Sequence, residues 1–244
     1  MTAGTSLRNL YEDPSTILSS GAERATRQAE MLAAVAPAQS RLLVVDVGCG
    51  DGMCTQVIQK FCDALPDVTA RIIGFDWSMS ALNQAQTRGI PVVRASADDG
   101  ALPLPGSSVD IVIMSELIEH LVDPDSTLDE ALRVLRPGGS LLLSTPNLAA
   151  WYNRALLACG VQPIFTEVSM RDIYGRPGTE VVGHLRIFTR RALRELLSAI
   201  GFTDIDIRGA PYHDVPRPLR PLDRLLCHAP GLASNLLASA RRPS

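Results

Sequence analysis

The chain is 244 residues long, within reach of a single α/β domain, and its 46% hydrophobic and 20% charged residues with a formal net charge of −3 are ordinary for a soluble globule with a real core. It has none of the cationic surplus that grips a nucleic-acid backbone, and its arginines gather only near Arg217, Arg220 and Arg224. Five cysteines without a CxxC pair, and no secretory signal in the opening residues, predict reduced thiols and a cytoplasmic protein rather than a disulfide scaffold. No apolar run reaches the roughly 20 residues of a bilayer span, and a single lysine, Lys60, argues against Schiff-base chemistry.

Behind a polar arm, GAERATRQAEMLAAV (21–35) carries Ala and Met on one side and predicts a helix. LLVVDV (42–47) is a continuous apolar run bounded by glycines, as a buried parallel strand should be. A helix is expected over 53–64, a second strand in RIIGFD (71–76), a helix over 79–88 capped by Ser78, and a short strand in PVVRA (91–95). VDIVIM (109–114) reads as the fourth strand. Pro124 opens a helix that Pro137-Gly138-Gly139 stops, and SLLLST (140–145) is the fifth strand. Residues 146–185, with Trp151, Tyr152, Phe165 and Tyr174, read as an inserted cap over a substrate. A helix from Thr189 to Ile200, a strand FTDIDIR (202–208), a proline-rich connection with a short helix RPLDRLLCH, and a last strand near 234–240 complete the chain. Strand and helix alternate, which implies βαβ units and a mostly parallel sheet with helices on both faces. Residues 1–244 read as one domain, with an arm and helix over 1–40 and the cap at 146–185.

The most specific feature is Asp46-Val-Gly48-Cys-Gly50-Asp-Gly52, directly after the first strand. Glycines there let the backbone turn sharply and approach a ligand, at the strand end where open α/β sheets bind ligands. The spacing is GxGxG rather than the GxGxxG of dinucleotide sites, an acid precedes it by two positions, and no lysine completes a phosphate loop. Cys49 fits as a small packed side chain within the loop. Downstream stand Asp76 and Trp77 at the end of the second strand, Asp98 and Asp99 in ADDGALPLP, and LRVLRPGGSLLLSTPN before the fifth strand.

In that order and spacing the chain resembles the class I S-adenosylmethionine-dependent methyltransferases over residues 40–210. The resemblance implies a Rossmann-like seven-stranded sheet with its last strand antiparallel. It also implies a cofactor site of Asp46, Gly48, Cys49, Gly50, Asp76 on the ribose, Trp77 on the adenine, Asp98 and Asp99 near the adenine amino group, and Ser115. Glu23 or Arg24 could reach the cofactor from the N-terminal helix.

Acceptor chemistry centres on Ser115-Glu116-Leu-Ile-Glu119-His120. On a helical turn, residues 116, 119 and 120 share one face, and His184 follows the cap. This ExxEH with a downstream histidine resembles the ubiquinone-pathway O-methyltransferases and the small-RNA 2′-O-methyltransferases. It implies a Mg²⁺, Mn²⁺ or Fe²⁺ site of Glu116, Glu119, His120 and His184. Glu119, His120 and His184 are the catalytic candidates, the imidazoles serving equally well as metal-free bases. The expected activity is O-methylation of a small phenol or hydroxyl. N- or C-methylation without metal, a nicotinamide-dependent oxidoreductase and a non-catalytic cofactor-binding protein stand as alternatives. His213-Asp214 reads as solvated, and the apolar face of RPLDRLLCH as a cover for the site or a homodimer contact.

Overall fold

The structure is a computed structural model that describes residues 21–36, 40–65, 68–178 and 181–244; residues 1–20 of the expected arm lie outside the described residues. The helix α1 (Ala22–Val35) precedes β1 (Ser40–Val47), α2 (Met53–Asp63), β2 (Val68–Asp76), α3 (Met79–Thr87) and β3 (Val92–Arg94). Then come β4 (Val109–Ser115), α4 (Pro124–Val134), β5 (Leu135–Pro146), α5 (Trp151–Ala158), α6 (Arg190–Ile200), β6 (Thr203–Ala210), α7 (Arg220–Leu226) and β7 (Asn235–Arg241). The strand order is β3-β2-β1-β4-β5-β7-β6, and β7 runs antiparallel to both of its neighbours.

The sheet is buried on both faces because consecutive side chains of each central strand point opposite ways. Val45, Val112, Met114, Leu141 and Leu143 join Leu128 and Val134 of α4 and Leu193 and Leu197 of α6 in one core. Val44, Ile111, Ile113 and Leu142 join Ala29 and Leu32 of α1 and Ile58 of α2 in the other. Helices therefore cover both faces, as expected from the alternation. No helix among the described residues is long and apolar enough to cross a membrane.

Two elements differ from the sequence reading. The extended chain begins at Leu135 rather than after the Pro-Gly-Gly stop, since Leu135 leaves α4 directly in extended geometry. Pro137-Gly138-Gly139 then forms an irregularity between the pairs Val109–Leu135 and Ile111–Ser140. The segment after β5 contains the helix α5, which its prolines and aromatics did not announce. Its two stems are pinned together where Asn147 bridges Phe188 and Leu148 N donates to Phe188 O at 2.9 Å.

Strand β6 passes close beneath the chain leaving α7. A methyl added at Gly209 would run into the carbonyl of Cys227 and lie 2.6 Å from Ala233 Cβ. Gly209→Ala should therefore lower the unfolding free energy by about 1–3 kcal/mol, as overpacking does; urea unfolding checks this, and an unchanged midpoint would refute the close approach.

Candidate functional site

The turn after β1 is built from hydrogen bonds that only a tight backbone permits. Gly48 N and Cys49 N both donate to Phe75 O (2.7 and 3.0 Å), and Gly50 N donates to Asp76 Oδ2 (2.9 Å). Gly48 has a φ of 75°, and a Cβ there would meet Leu117 at 2.9 Å, so the position excludes a side chain twice over. A Cβ on Gly50 would meet nothing within 4 Å: in front of this residue there is open space. Cys49 is buried, its sulfur filling the place a side chain on Gly74 would take, and burial raises its thiol pKa. It packs, as the sequence suggested.

Asp46 is fully enclosed at the end of β1. Burial pushes its carboxyl up to about 7, against the lowering effect of the Thr55 hydroxyl (2.5 Å) and with a further push from Asp76. Asp76 also accepts from Ser78 N at 2.8 Å, so both of its oxygens organise the turn. Trp77 lies under the Arg94 guanidinium, 4.5 Å from the ring centroid. Asp98 is exposed in a short 3₁₀ turn, and its Oδ1 accepts from Val122 N and Asp123 N (2.9 and 3.3 Å), tying it to the loop after His120; Asp99 is exposed beside it.

At the end of β4 the structure separates the residues that the sequence placed together. Glu116 adopts φ +52° and so leaves the turn that follows; residues 117–120 close that turn through His120 N to Leu117 O. The expected helical face does not form: residues 116–120 make a bend and a turn, which leaves Glu119 and His120 together and Glu116 apart from them. The Glu116 carboxylate accepts from Ser144 Oγ (2.9 Å) and lies 3.4 Å from Arg24. Ser115 donates to Gln28 Oε1 (2.9 Å). Arg24 and Gln28, one helical turn apart on α1, both face this strand end. Among the described residues, Arg24 Nε and Gln28 Nε2 are buried without a hydrogen-bond partner.

Glu119, His120 and His184 come together, each offering a ligand atom within 4.8 Å of the others. Glu119 has no exposed surface; Thr145 Oγ1 donates to its Oε2 at 2.9 Å, while Oε1 is buried without a hydrogen-bond partner among the described residues. Burial, then the charge of Glu116, raises its pKa well above the usual carboxylate range. His120 Nδ1 is 3.2 Å from Gly183 O and His184 Nδ1 is 3.1 Å from Phe165 O. A carbonyl can only accept, so in each ring Nδ1 carries the proton and Nε2 bears the lone pair. Burial lowers His120 to about 4; burial and the neighbouring His120 lower His184 to about 3.

The histidine loop is held by residues the sequence reading missed. Glu167 accepts from Val182 N and Arg176 through Oε1 (2.7 and 3.2 Å), and from Gly183 N and His184 N through Oε2 (2.8 and 3.0 Å). Both members of the Arg176–Glu167 pair are buried. Thr145 and Gln28 were missed too; the spacing of Arg24 and Gln28 along the apolar side of α1 was the available signal for the latter. Of the cap aromatics, Phe165 stands edge-on to His184 and Tyr212, and Trp151 Nε1 donates to Asp223 (2.9 Å). Tyr174 is exposed, apart from them. His213 pairs with Asp214 at 3.0 Å on the surface, as expected.

Both imidazoles have folded pKa values below the 6.5 of a free histidine. Their neutral forms therefore support the fold fully above that pH, and the contribution drains as pH falls toward the folded values; Glu119, with a raised pKa, acts in the opposite sense. In a pH titration followed by NMR, both ring signals should stay at neutral-imidazole positions down to about pH 5, and titration near 6.5 would refute the burial argument.

Residues 21–207 match a family described as a methyltransferase domain. A Mycolicibacterium smegmatis protein assigned as an S-adenosylmethionine-dependent methyltransferase is 38% identical over 104 residues, 43% of this chain and 38% of that protein. A ubiquinone biosynthesis O-methyltransferase of Chelativorans is 26% identical over 176 residues, covering 70% of this chain and 63% of the relative. The chain spans 31–38% of the length of its first four curated relatives. An S-adenosylmethionine-dependent methyltransferase of Thermotoga maritima shares the fold, with a TM-score of 0.60, 17% identity and 89% of both chains covered.

Proposed function

The chain belongs to the methyltransferase-domain family, and from that premise we propose that it transfers the methyl group of S-adenosylmethionine to an oxygen of a small acceptor, with a divalent cation held by Glu119, His120 and His184. The observation that carries the acceptor side is the donor set itself: a buried carboxylate oxygen without a hydrogen-bond partner among the described residues, beside two imidazoles held in the Nδ1–H tautomer by backbone carbonyls. Such second contacts on the non-ligating nitrogen accompany metal-binding histidines. With Glu116 engaged elsewhere, the set is one carboxylate and two imidazoles, which suits Mn²⁺ or Fe²⁺ better than Mg²⁺.

The cofactor side fits as well. The glycine turn has open space at Gly50, and the buried donors Arg24 Nε and Gln28 Nε2 face the strand end where a carboxylate would complete them. Gly48 and Gly50 would line the methionyl part, and Asp76 would take the ribose hydroxyls. Trp77 and Asp98 or Asp99 would border the adenine. Ser115 and Gln28 would order the junction between the two halves.

S-adenosylmethionine supplies an electrophilic methyl, and a divalent cation lowers the pKa of a bound hydroxyl. The chain's own residues then have to align the acceptor oxygen and exclude water, a contribution of about 7–11 kcal/mol where the geometry is good. A metal-free imidazole base is the weaker reading. A group with a pKa of about 4 or 3 holds a phenolic proton poorly at neutral pH. Phe165 and Tyr212, in edge contact beside His184, favour a flat acceptor with neighbouring oxygens under the 146–185 cap.

Asp76→Ala should weaken S-adenosylhomocysteine binding about tenfold or more, since hydrogen bonds to a charged partner are lost; unchanged affinity in calorimetry would overturn the cofactor assignment. Calorimetric titration of Mn²⁺ into protein saturated with S-adenosylhomocysteine should give saturable binding that His120→Ala abolishes. Without binding by the unaltered protein, the metal falls, and imidazole-assisted O-methylation and metal-free N- or C-methylation return as rivals.

A further inference from the structure

We propose that the outer face of residues 216–226 docks the protein on anionic lipid membranes. A 3₁₀ turn (Arg217–Leu219) runs directly into α7 (Arg220–Leu226). It carries Leu219, Leu222 and Leu225 outward at 40%, 41% and 67% exposure. Three leucines so exposed, at successive turns of one short element, form an apolar ridge with no partner among the described residues. Arg217, Arg220 and Arg224 are exposed beside it.

The acid of this segment is turned the other way. Asp223 is 1% exposed and accepts from Trp151 Nε1, Tyr212 N and Ser234 Oγ. Arg220 spends its donors on the carbonyls of Val215 and His213 (3.0 and 3.1 Å), which anchor the side chain without neutralising it. Among the described residues, Arg224 makes one loose ion pair, 3.6 Å to Glu23. The ridge is therefore apolar with a cationic flank, the pattern of an element lying in the headgroup layer. Pro216, Pro218 and Pro221 add to the fit: they remove backbone N–H donors from a helix start, where such donors would otherwise lack partners in a poorly hydrated layer.

Charge also decides between occupants. A two-fold pairing of this face with a second copy would set arginines against arginines, whereas an anionic surface answers both the charge and the leucines. The remainder of the molecule is net acidic, so an anionic membrane would repel it and select this face.

The test is flotation of the full chain with vesicles of phosphatidylcholine containing phosphatidylglycerol, against vesicles of phosphatidylcholine alone. The protein should float with the first and far less with the second. Leu222→Glu with Leu225→Glu should reduce binding about tenfold or more. Arg217→Gln with Arg224→Gln should reduce it about tenfold and flatten its salt dependence. All four positions are exposed, so circular dichroism and melting temperature should hold in both variants. No flotation, equal flotation on both lipids, or flotation untouched by the leucine changes would overturn the proposal. So would a dimer in light scattering that the leucine changes dissociate, without vesicle binding, since the ridge would then belong to a second copy.

Discussion

Desolvation of ionisable groups at the carboxyl ends of β1 and β4 is the constraint around which this molecule is arranged. The two strands are neighbours in the sheet, and the connections after them bring Asp46, Arg24, Glu116, Glu119, His120 and His184 out of water within one region. Burial moves Asp46 and Glu119 up and both histidines down, each toward its neutral form. Leaving such groups unpaired would be costly. The fold answers with directed hydrogen bonds: the Thr55 hydroxyl donates to Asp46, the Thr145 hydroxyl to Glu119, and each imidazole Nδ1–H to a backbone carbonyl. Among the described residues, hydrogen-bonding capacity remains unused on Glu119 Oε1, Arg24 Nε and Gln28 Nε2.

The fold was legible because its signals are local. LLVVDV and VDIVIM are apolar runs of strand length, Pro124 marks the start of α4, and Gly201 ends α6 in the left-handed conformation. The glycine turn was legible for the same reason, since its three alternating glycines directly follow an apolar strand run, and the left-handed φ of Gly48, Gly50 and Gly52 is what those glycines allow. The acceptor side was only half legible. ExxEH spacing put three groups on one helical face, but Glu116 takes a positive φ that no residue type announces, and its carboxylate goes to Ser144. Glu167 carries no signal of its own, because the amides it binds lie 15 to 17 positions downstream. Pairings of that range are set by tertiary packing, not by local pattern.

The separation of Glu116 from the cluster bears on the chemistry. Two carboxylates would have made a harder, more anionic site; instead Arg24, 3.4 Å from Glu116, offsets that charge. Glu119 then faces two neutral rings alone. The proposed cation would relieve its desolvation and its repulsion from Glu116 at once, which a proton does only by removing the ligand charge itself.

The histidine from the far side of the cap reaches this place through a buried ion pair. Glu167 and Arg176 are enclosed, and the same carboxylate satisfies three consecutive amides ending at His184. Lifting the loop at 182–184 would strip those amides of their acceptor and leave a buried carboxylate with Arg176 but without its three amide donors, and hydrogen bonds to a charged group are each worth about 1.5–3 kcal/mol. Cap and cluster therefore hold or fail together. On the far side of His184, Phe165 meets Tyr212 edge-on, and Tyr212 N, through Asp223, ties that contact to the helix that carries the leucine ridge.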